Sequence, residues 1–173
     1  MLVFKTSQEI RAFFYSKPGS LGLVPTMGTL HKGHISLINK ACSENDFVIV
    51  SIYVNPTQFN RKIDLHNYPS NLKNDVNILE NLSNQIILYN PSHPELYPNG
   101  IKSNSYNFGS LTQYMEGRFR PGHFNGVATV IEVLFKKINP NKAYFGEKDY
   151  QQIQVIKSLN RQKKLGVNIV SCP

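Results

Sequence analysis

The sequence predicts an α/β protein with a Rossmann-like, doubly wound parallel sheet, and three observations support this fold class. Short apolar runs that suit buried strands alternate along the chain with segments whose apolar residues recur at helical spacing. The strongest strand pattern, residues 47–54, is apolar almost throughout, as expected of a parallel strand covered on both faces. Three unusual polar motifs each follow a predicted strand, where α/β sheets place their ligands.

The predicted elements follow one another without an internal repeat or a low-complexity tract. The first is a helix ending near Tyr15, for which Thr6 or Ser7 is a candidate N-cap and Glu9 is placed for a capping box. Apolar patterning then predicts strands at 21–25, 47–54, 86–89, 142–145 and 167–170, and helices at 35–42, 72–82, 127–138 and 150–159. Residues 91–110 are predicted as irregular, with a short strand around 106–108 as their one candidate element.

Composition limits the class of protein. The 173 residues fit one domain, 1–173, and a hydrophobic content of 40% with 17% charged residues is typical of a globular chain. No run approaches the ~18 apolar residues of a transmembrane helix, and the N-terminus lacks the features of a secretory signal. Cys42 and Cys172 form no CxxC pair. We therefore expect a cytoplasmic protein with no membrane partner, no disulfide framework and no zinc site.

The formal net charge of +8 favours an anionic partner, either nucleic acid or a small molecule that bears phosphate. The basic residues are scattered, and we interpret the densest cluster, Arg161, Lys163 and Lys164, as a solvated helix face. A non-catalytic module that binds nucleic acid remains an alternative, which predicts steeply salt-dependent binding. The absence of a clustered basic and aromatic surface argues against it, and no nucleic-acid partner is expected.

The first motif, residues 25–34 (PTMGTLHKGH), joins a predicted strand to the next helix. Gly28 permits a tight turn, and Gly33 lets the backbone approach a ligand closely. His31 and His34 stand three apart over the helix N-terminus, where they could donate hydrogen bonds to phosphate oxygens. The alternative is that His31 caps the helix and His34 is a surface residue. Zinc binding is disfavoured because no third ligand is suggested nearby.

The second motif, residues 55–59 (NPTQF), follows the strongest predicted strand. Asn55 and Gln58 carry amides that both donate and accept hydrogen bonds, which suits hydroxyls and carboxylates. Pro56 ends the strand and stiffens the turn. An ordinary Asn-Pro turn with an exposed Gln58 is the alternative.

The third motif, residues 145–152 (FGEKDYQQ), again lies between a predicted strand and a helix. Gly146 allows a turn, and Lys148 offers a point charge for a phosphate. Asp149 could cap the helix or hold Lys148 in place, and Gln152 lies three residues further on. The alternative is a capped helix start with a solvated cluster of charges.

These motifs carry a resemblance to a known family. An HxGH sequence after a strand is a signature of nucleotidylyltransferases and class I aminoacyl-tRNA synthetases. The longer string PTMGTLHKGH, followed in order by NPTQF and GEKDYQQ, resembles the pantothenate synthetase family over nearly the whole chain. A nucleotidylyltransferase with a different acceptor is the alternative within the same fold, although it has no need for the second and third motifs.

The resemblance implies a role for each matching residue. By resemblance, ATP is bound by Met27, Gly28, Thr29, Leu30, His31, Lys32, Gly33, His34, Gly146, Glu147, Lys148 and Asp149; pantoate by Gln58, Gln152, Pro25 and Met27; and β-alanine by Gln58 and Asn55. It also implies that His34, His31 and Lys148 are catalytic, with His34 as the proton donor and Lys148 steadying the transferring group. Mg²⁺ is expected to enter with ATP, near Asp75, without a direct protein ligand.

The implied reaction joins pantoate to β-alanine and converts ATP to AMP and pyrophosphate. Attack of the pantoate carboxylate on the α-phosphate of ATP gives pantoyl adenylate, and the amine of β-alanine then displaces AMP. The protein's work is positioning and charge stabilisation. The resemblance also implies a homodimer, and a C-terminal lid domain that these residues do not include.

Several weaker features accompany the motifs. Asp75, after Tyr68-Pro69, is either an acidic residue near the metal-bearing nucleotide or an exposed helical aspartate. The residues Arg118, Arg120 and His123 either screen an anionic substrate or are structural. The apolar stripe after Phe124 is predicted to be core, and His66 and His93 are predicted to be surface histidines.

Overall fold

The computed structural model describes residues 1–173 and contains one six-stranded sheet in which every pair of neighbouring strands is parallel. The strands are β1 Leu2–Phe4, β2 Leu21–Thr26, β3 Phe47–Ile52, β4 Ile86–Tyr89, β5 Lys142–Gly146 and β6 Asn168–Cys172. Their order across the sheet is β1-β4-β3-β2-β5-β6. The predicted parallel sheet is therefore confirmed.

Eight α-helices connect and cover the strands. They are α1 Ser7–Tyr15, α2 Lys32–Glu44, α3 Lys62–His66, α4 Leu72–Glu80, α5 His93–Leu96, α6 Met115–Phe119, α7 His123–Ile138 and α8 Tyr150–Lys163, and single 3-10 turns lie at Pro56–Gln58, Gly109–Thr112 and Glu147–Asp149. The predicted start of α1 is confirmed, since Thr6 caps it and Glu9 closes the capping box. No helix combines the length and the apolar character needed to cross a membrane.

Hydrophobic residues pack on both faces of the sheet, which is why its central strands β2 and β3 are largely apolar. One cluster holds residues of α1, α7 and α8 against one face, and includes Ile49 of β3. A second cluster holds residues of α2 and α4 against the other face, and includes Val48 and Val50 of the same strand. The apolar stripe of α7 belongs to the first cluster, as predicted.

The fold differs from the prediction in several places. The short helices α3, α5 and α6 were not predicted, and α5 lies within residues 91–110, which the sequence predicts as irregular. The edge strand β1 was not predicted, because three residues are too few to show a period and two of them, Leu2 and Val3, stay exposed. The strand predicted around 106–108 is wrong. Instead the Tyr106 amide donates to the side chain of Asn125, and the Tyr106 ring stacks on Phe108 at a centroid distance of 5.6 Å. Packing against α7 therefore replaces strand pairing in this segment.

The topology brings the three motifs to one edge of the sheet. From β2 the chain proceeds to β3 and β4 on one side, then crosses to β5 and β6 on the other. The strand order thus reverses at β2 and β5, and α/β proteins bind ligands beyond the carboxyl ends of the strands at such a point. The first motif follows β2, the second follows β3, and the third follows β5.

Candidate active site

A cavity of about 310 Å³ lies where the three motifs meet, a volume within the usual range for small-molecule sites. Nine of the predicted site residues line it: Pro25, Met27, His31, His34, Asn55, Gln58, Gly146, Asp149 and Gln152. Seven others do not: Gly28, Thr29, Leu30, Lys32, Gly33, Glu147 and Lys148. Residues more than 120 positions apart in the sequence thus share one pocket.

His31 and His34 together form the N-terminal capping box of α2. The Gly33 amide donates to His31 Nδ1 at 3.1 Å, and the His31 amide donates to His34 Nδ1 at 3.4 Å. The interpretation that His31 caps the helix is therefore confirmed, and it coexists with a position at the cavity. Because both Nδ1 atoms accept hydrogen bonds, each neutral imidazole carries its proton on Nε2, which leaves two N–H donors for a ligand.

The environment of His34 keeps its imidazole neutral. The side chain is half-buried, and burial followed by the charge of His31 lowers the pKa of His34 below its usual value of 6.5. The charges of Asp75 and Asp149 act in the opposite direction but do not reverse the shift. At neutral pH His34 therefore acts as a hydrogen-bond donor rather than as a cation.

Asp75 holds the loop that precedes α2. Its side chain is buried at 1% exposure, and its two carboxylate oxygens accept hydrogen bonds from the amides of Thr29 (2.8 Å) and Leu30 (2.7 Å). The interpretation of Asp75 as an exposed helical residue is therefore wrong. Gly28 has φ of +84°, and a Cβ there would lie 3.0 Å from Asp75 Oδ2, so this turn favours glycine.

Asn55 orients the second motif. Its side chain is buried at 1% exposure, and its Nδ2 donates to Gln58 Oε1 at 3.0 Å and to the carbonyl of Gly126 at 3.2 Å. Its Oδ1 accepts hydrogen bonds from Thr57 (3.0 Å) and from the hydroxyl of Tyr97 (2.7 Å). Asn55 lines the cavity, but both ends of its amide are already bonded within the protein.

Helix α7 packs against the backbone of the second motif. At Gly126 a Cβ would lie 2.2 Å from the carbonyl oxygen of Thr57, so only glycine lets the helix approach this backbone. His123 is buried at 5% exposure, and its Nδ1 lies 2.9 Å from the carbonyl oxygen of Gln58. Arg120 also donates to that carbonyl, at 3.4 Å. These contacts give Arg120 and His123 a structural role, but both also line a second cavity with Gln58 and Gln152, so the structure is compatible with both interpretations. Arg118 is exposed and lines neither cavity.

Only part of the third motif lines the cavity. Gly146 and Gln152 line it, whereas Lys148 is exposed and is not a lining residue. Asp149 also lines the cavity, and of the two roles considered for its side chain, capping of α8 is wrong, because the side chain makes no capping hydrogen bond. The side chain of Glu147 instead accepts a hydrogen bond from Ser171 in β6.

The site residues assigned from the sequence leave out eleven residues of the cavity wall, two of which, Thr26 and Phe145, lie within the motifs. The residues concerned are Thr26, Leu37, Ser51, Tyr53, Tyr68, Val127, Val130, Ile131, Leu134, Tyr144 and Phe145. Ser51 is the most notable of them, since its buried hydroxyl has no hydrogen-bond partner in the chain. The sequence signal that could have drawn attention to α7 is Gly126, a lone glycine within a strongly helical apolar stripe.

The remaining polar residues that the sequence singled out lie on the surface. His66 and His93 are exposed, as predicted, although His93 Nδ1 lies 2.7 Å from the hydroxyl of Tyr53. The side chains of Arg161, Lys163 and Lys164 are exposed at the end of α8, which agrees with a solvated helix face.

Both cysteines are free thiols. No group of three or more His, Cys, Asp or Glu side chains is arranged to hold a metal ion.

A parallel Rossmann-like sheet with an HxGH loop at its switch point defines the chain as an α/β protein of the nucleotidyltransferase type. The family model of pantoate–β-alanine ligase matches residues 2–173. The chain therefore belongs to the pantoate–β-alanine ligase family.

Individual relatives agree with this assignment. The chain is 52% identical over 154 residues to pantothenate synthetase of Christiangramia forsetii, covering 89% of this chain and 54% of that protein. It is 41% identical to pantothenate synthetase of Flavobacterium psychrophilum, covering 99% of this chain and 62% of that protein. The chain thus spans less than two thirds of the length of these two relatives.

Solved structures share the fold. Pantoate–β-alanine ligase from Francisella tularensis, crystallised with beta-gamma ATP and β-alanine, superimposes with a TM-score of 0.93 at 43% identity, covering 100% of this chain and 67% of that one. The enzyme from Thermus thermophilus gives a TM-score of 0.91 at 43% identity, covering 100% of this chain and 62% of that one.

Proposed function

We propose that this chain forms the ATP- and pantoate-binding part of an enzyme that condenses pantoate with β-alanine, through pantoyl adenylate, and releases AMP and pyrophosphate. The observation that carries the proposal is that His31, His34, Gln58 and Gln152, from three separate loops, line one cavity. Membership of the ligase family and the similarity to a ligase crystallised with beta-gamma ATP and β-alanine support it.

The phosphates of ATP are expected at the start of α2. There the Nε2–H donors of His31 and His34 add to the positive end of the helix dipole. As pyrophosphate leaves, negative charge grows on its oxygens, and fixed donors stabilise that charge without reorganisation. Lys148 is exposed beside the lining residues Gly146 and Asp149, and its flexible stem suits it to reach a phosphate from there.

Pantoate is expected between the second motif and α8. The side chains of Gln58 and Gln152 can hold its hydroxyls and carboxylate, and a donor aimed at a substrate oxygen rejects analogues that lack it. The apolar residues Val127, Val130 and Ile131 of α7 form a wall suited to the methyl groups of pantoate. The carboxylate can then approach the α-phosphate in a fixed geometry, and this proximity accounts for a large part of the rate.

Mg²⁺ is expected to enter as a companion of ATP rather than in a protein cage. The cavity has no cluster of metal-ligating side chains, and both oxygens of Asp75 already accept backbone hydrogen bonds. The role of the chain's own residues in this proposal is to bind and orient the substrates.

The decisive experiment is isotope exchange between pyrophosphate and ATP, using the protein expressed from its own gene. We expect exchange only when pantoate is present, and AMP release only when β-alanine is added as well. His34→Ala should reduce exchange strongly without loss of the fold, and His66→Ala, at an exposed histidine outside the cavity, serves as its control. Exchange that is independent of pantoate, or equal with other hydroxy acids, would support the alternative nucleotidylyltransferase instead.

A binding experiment tests the assignment of Gln152. Gln152→Ala should weaken pantoate binding more than ATP binding in calorimetric titrations, because Gln152 is proposed to contact only pantoate. An equal loss for both ligands would contradict this assignment.

The proposal extends to location and assembly. We place the enzyme in the cytoplasm, because its two cysteines are free thiols and such thiols persist in reducing compartments. We also propose a homodimer, supported by exposed large apolar side chains at Tyr114, Met115 and Phe119. Light scattering after gel filtration tests the dimer, and a monomeric mass at micromolar concentration would rule it out.

A further inference from the structure

A chain of hydrogen bonds leads from a tyrosine outside the cavity to a glutamine that lines it. Tyr97 is buried at 7% exposure, follows α5, and donates its hydroxyl proton to Asn55 Oδ1 at 2.7 Å. Asn55 Nδ2 in turn donates to Gln58 Oε1 at 3.0 Å. Gln58 lines the cavity, and Tyr97 does not.

The hydrogen bonds around Asn55 fix the orientation of two side-chain amides, those of Asn55 and Gln58. Asn55 Oδ1 accepts from Tyr97, and Asn55 Nδ2 donates to the carbonyl of Gly126, so the amide nitrogen of Asn55 faces Gln58. One lone pair of Gln58 Oε1 is then engaged, and the Gln58 NH₂ group makes no hydrogen bond within the chain, so this group is the free donor that Gln58 offers to a ligand. If the Asn55 amide were reversed, its oxygen would face Gln58 Oε1 and the carbonyl of Gly126, and acceptors would oppose one another.

Tyr97 holds this arrangement better than its neighbour Thr57 can. The Thr57 hydroxyl has one proton and three acceptors within reach: Asn55 Oδ1 at 3.0 Å, the Gly126 carbonyl at 3.3 Å and the Tyr97 hydroxyl at 3.3 Å. The Tyr97 hydroxyl makes the shorter bond to Asn55, and its ring is held against Tyr53 at a centroid distance of 6.3 Å. The Tyr97 backbone is also fixed, because its amide donates to the carbonyl of His93 at 2.7 Å.

We infer that Tyr97 is a positioning residue: together with the Gly126 carbonyl it holds Asn55 so that Gln58 is a hydrogen-bond donor toward the substrate, and the site therefore selects an acid that offers an acceptor oxygen there. This inference rests on the proposed function for the identity of that acid, pantoate, but the polarity of the two amides does not depend on it.

The kinetic test compares Tyr97→Phe with Tyr89→Phe. Both tyrosines are buried and donate a hydroxyl hydrogen bond, but Tyr89 donates to Glu95, away from the cavity. Tyr97→Phe should raise the KM for pantoate about fivefold, the effect of one neutral hydrogen bond, with the KM for ATP changed less than about twofold. Tyr89→Phe should leave both KM values near wild type. An unchanged KM for pantoate in Tyr97→Phe would overturn the inference.

A double-mutant cycle separates positioning from general loosening of the fold. If Tyr97 acts through Gln58, adding Tyr97→Phe to Gln58→Ala should not raise the KM for pantoate further. An equal rise in the wild-type and Gln58→Ala backgrounds would overturn the inference, because a merely structural effect adds in both.

A ligand-free measurement decides the inference even if the wild-type protein does not use pantoate. In ¹H–¹⁵N spectra, Tyr97→Phe should shift the side-chain NH₂ signals of both Asn55 and Gln58, whereas Tyr89→Phe should not. The two signals are assigned by their loss in Asn55→Ser and Gln58→Ala. If both stay at their wild-type positions in Tyr97→Phe, the inference fails; a wild type without pantoate-dependent exchange would instead refute the proposed function alone.

Discussion

The imidazoles of His31 and His34 lie 4.0 Å apart, centroid to centroid, and are inclined by 32°, because each closes one half of the cap of α2. The hydrogen bonds that stabilise the helix start also direct both Nε2–H groups away from the backbone. Capping and ligand binding therefore use different atoms of the same side chains, and substitutions can separate the two roles.

His31→Ala should lose both helix capping and ligand binding, whereas His31→Asn should lose only ligand binding. Asparagine is a good N-cap, so His31→Asn should unfold near the wild-type denaturant concentration, while His31→Ala should lose about 1 kcal/mol. Both variants lack the imidazole donor and should slow pyrophosphate exchange to a similar extent. Urea unfolding and exchange assays on both variants check this, and wild-type exchange in His31→Asn would assign His31 to capping alone.

Stability should fall as the pH drops below about 6.5, the usual pKa of histidine. Burial lowers the pKa of both His34 and His123, so between the lowered values and 6.5 the unfolded chain binds more protons than the folded chain. The unfolding free energy therefore rises with pH across this window and levels off above it. The carboxylates with a lowered pKa, such as Glu44 at about 2, titrate below this range.

The measurement is the unfolding midpoint in urea between pH 5 and pH 8. His34→Asn and His123→Asn should each flatten the pH dependence relative to wild type, and the double variant should flatten it most. A slope that is the same in all four proteins would show that other groups cause it.

Asp75→Asn should destabilise the protein by about 2–3 kcal/mol, since it replaces one of two accepting oxygens with a donor. The amide of Thr29 or Leu30 would then face an NH₂ group in a buried position. Asp64→Asn, which removes only an exposed ion pair with Arg61, is the matched control and should stay close to wild type. Equal midpoints for the two variants in urea would contradict the proposed role of Asp75.

Gly126→Ala should impair both stability and pantoate binding. Its Cβ would clash with the carbonyl of Thr57, so α7 and the second motif must separate, at about 1–3 kcal/mol. The control is Gly117→Ala in α6, where a Cβ would lie 2.4 Å from the carbonyl oxygen of Thr112, and neither residue lines the cavity. Gly117→Ala should lose stability without loss of pantoate affinity; weaker binding in both variants would point to a general effect of destabilisation.

The sequence predicted those parts of the site that depend on local order. Strands 21–25, 47–54 and 142–145 were recognisable because their apolar runs are covered on both faces, and each motif directly follows one of them. The parallel arrangement then places all three motifs at one edge. The convergence of His31, His34, Gln58 and Gln152 could thus be expected before any coordinates were known.

Tertiary structure alone decided which polar residues are buried and what they hold. Asp75 bonds to amides 45 and 46 positions away, Asn55 to a carbonyl 71 positions away, and Tyr97 to Asn55 across 42 positions. No periodic pattern encodes such partners, because an aspartate on an amphipathic helix looks the same whether its carboxylate meets water or two backbone amides. The sequence therefore determined where the site lies, whereas long-range packing determined how its donors are aimed.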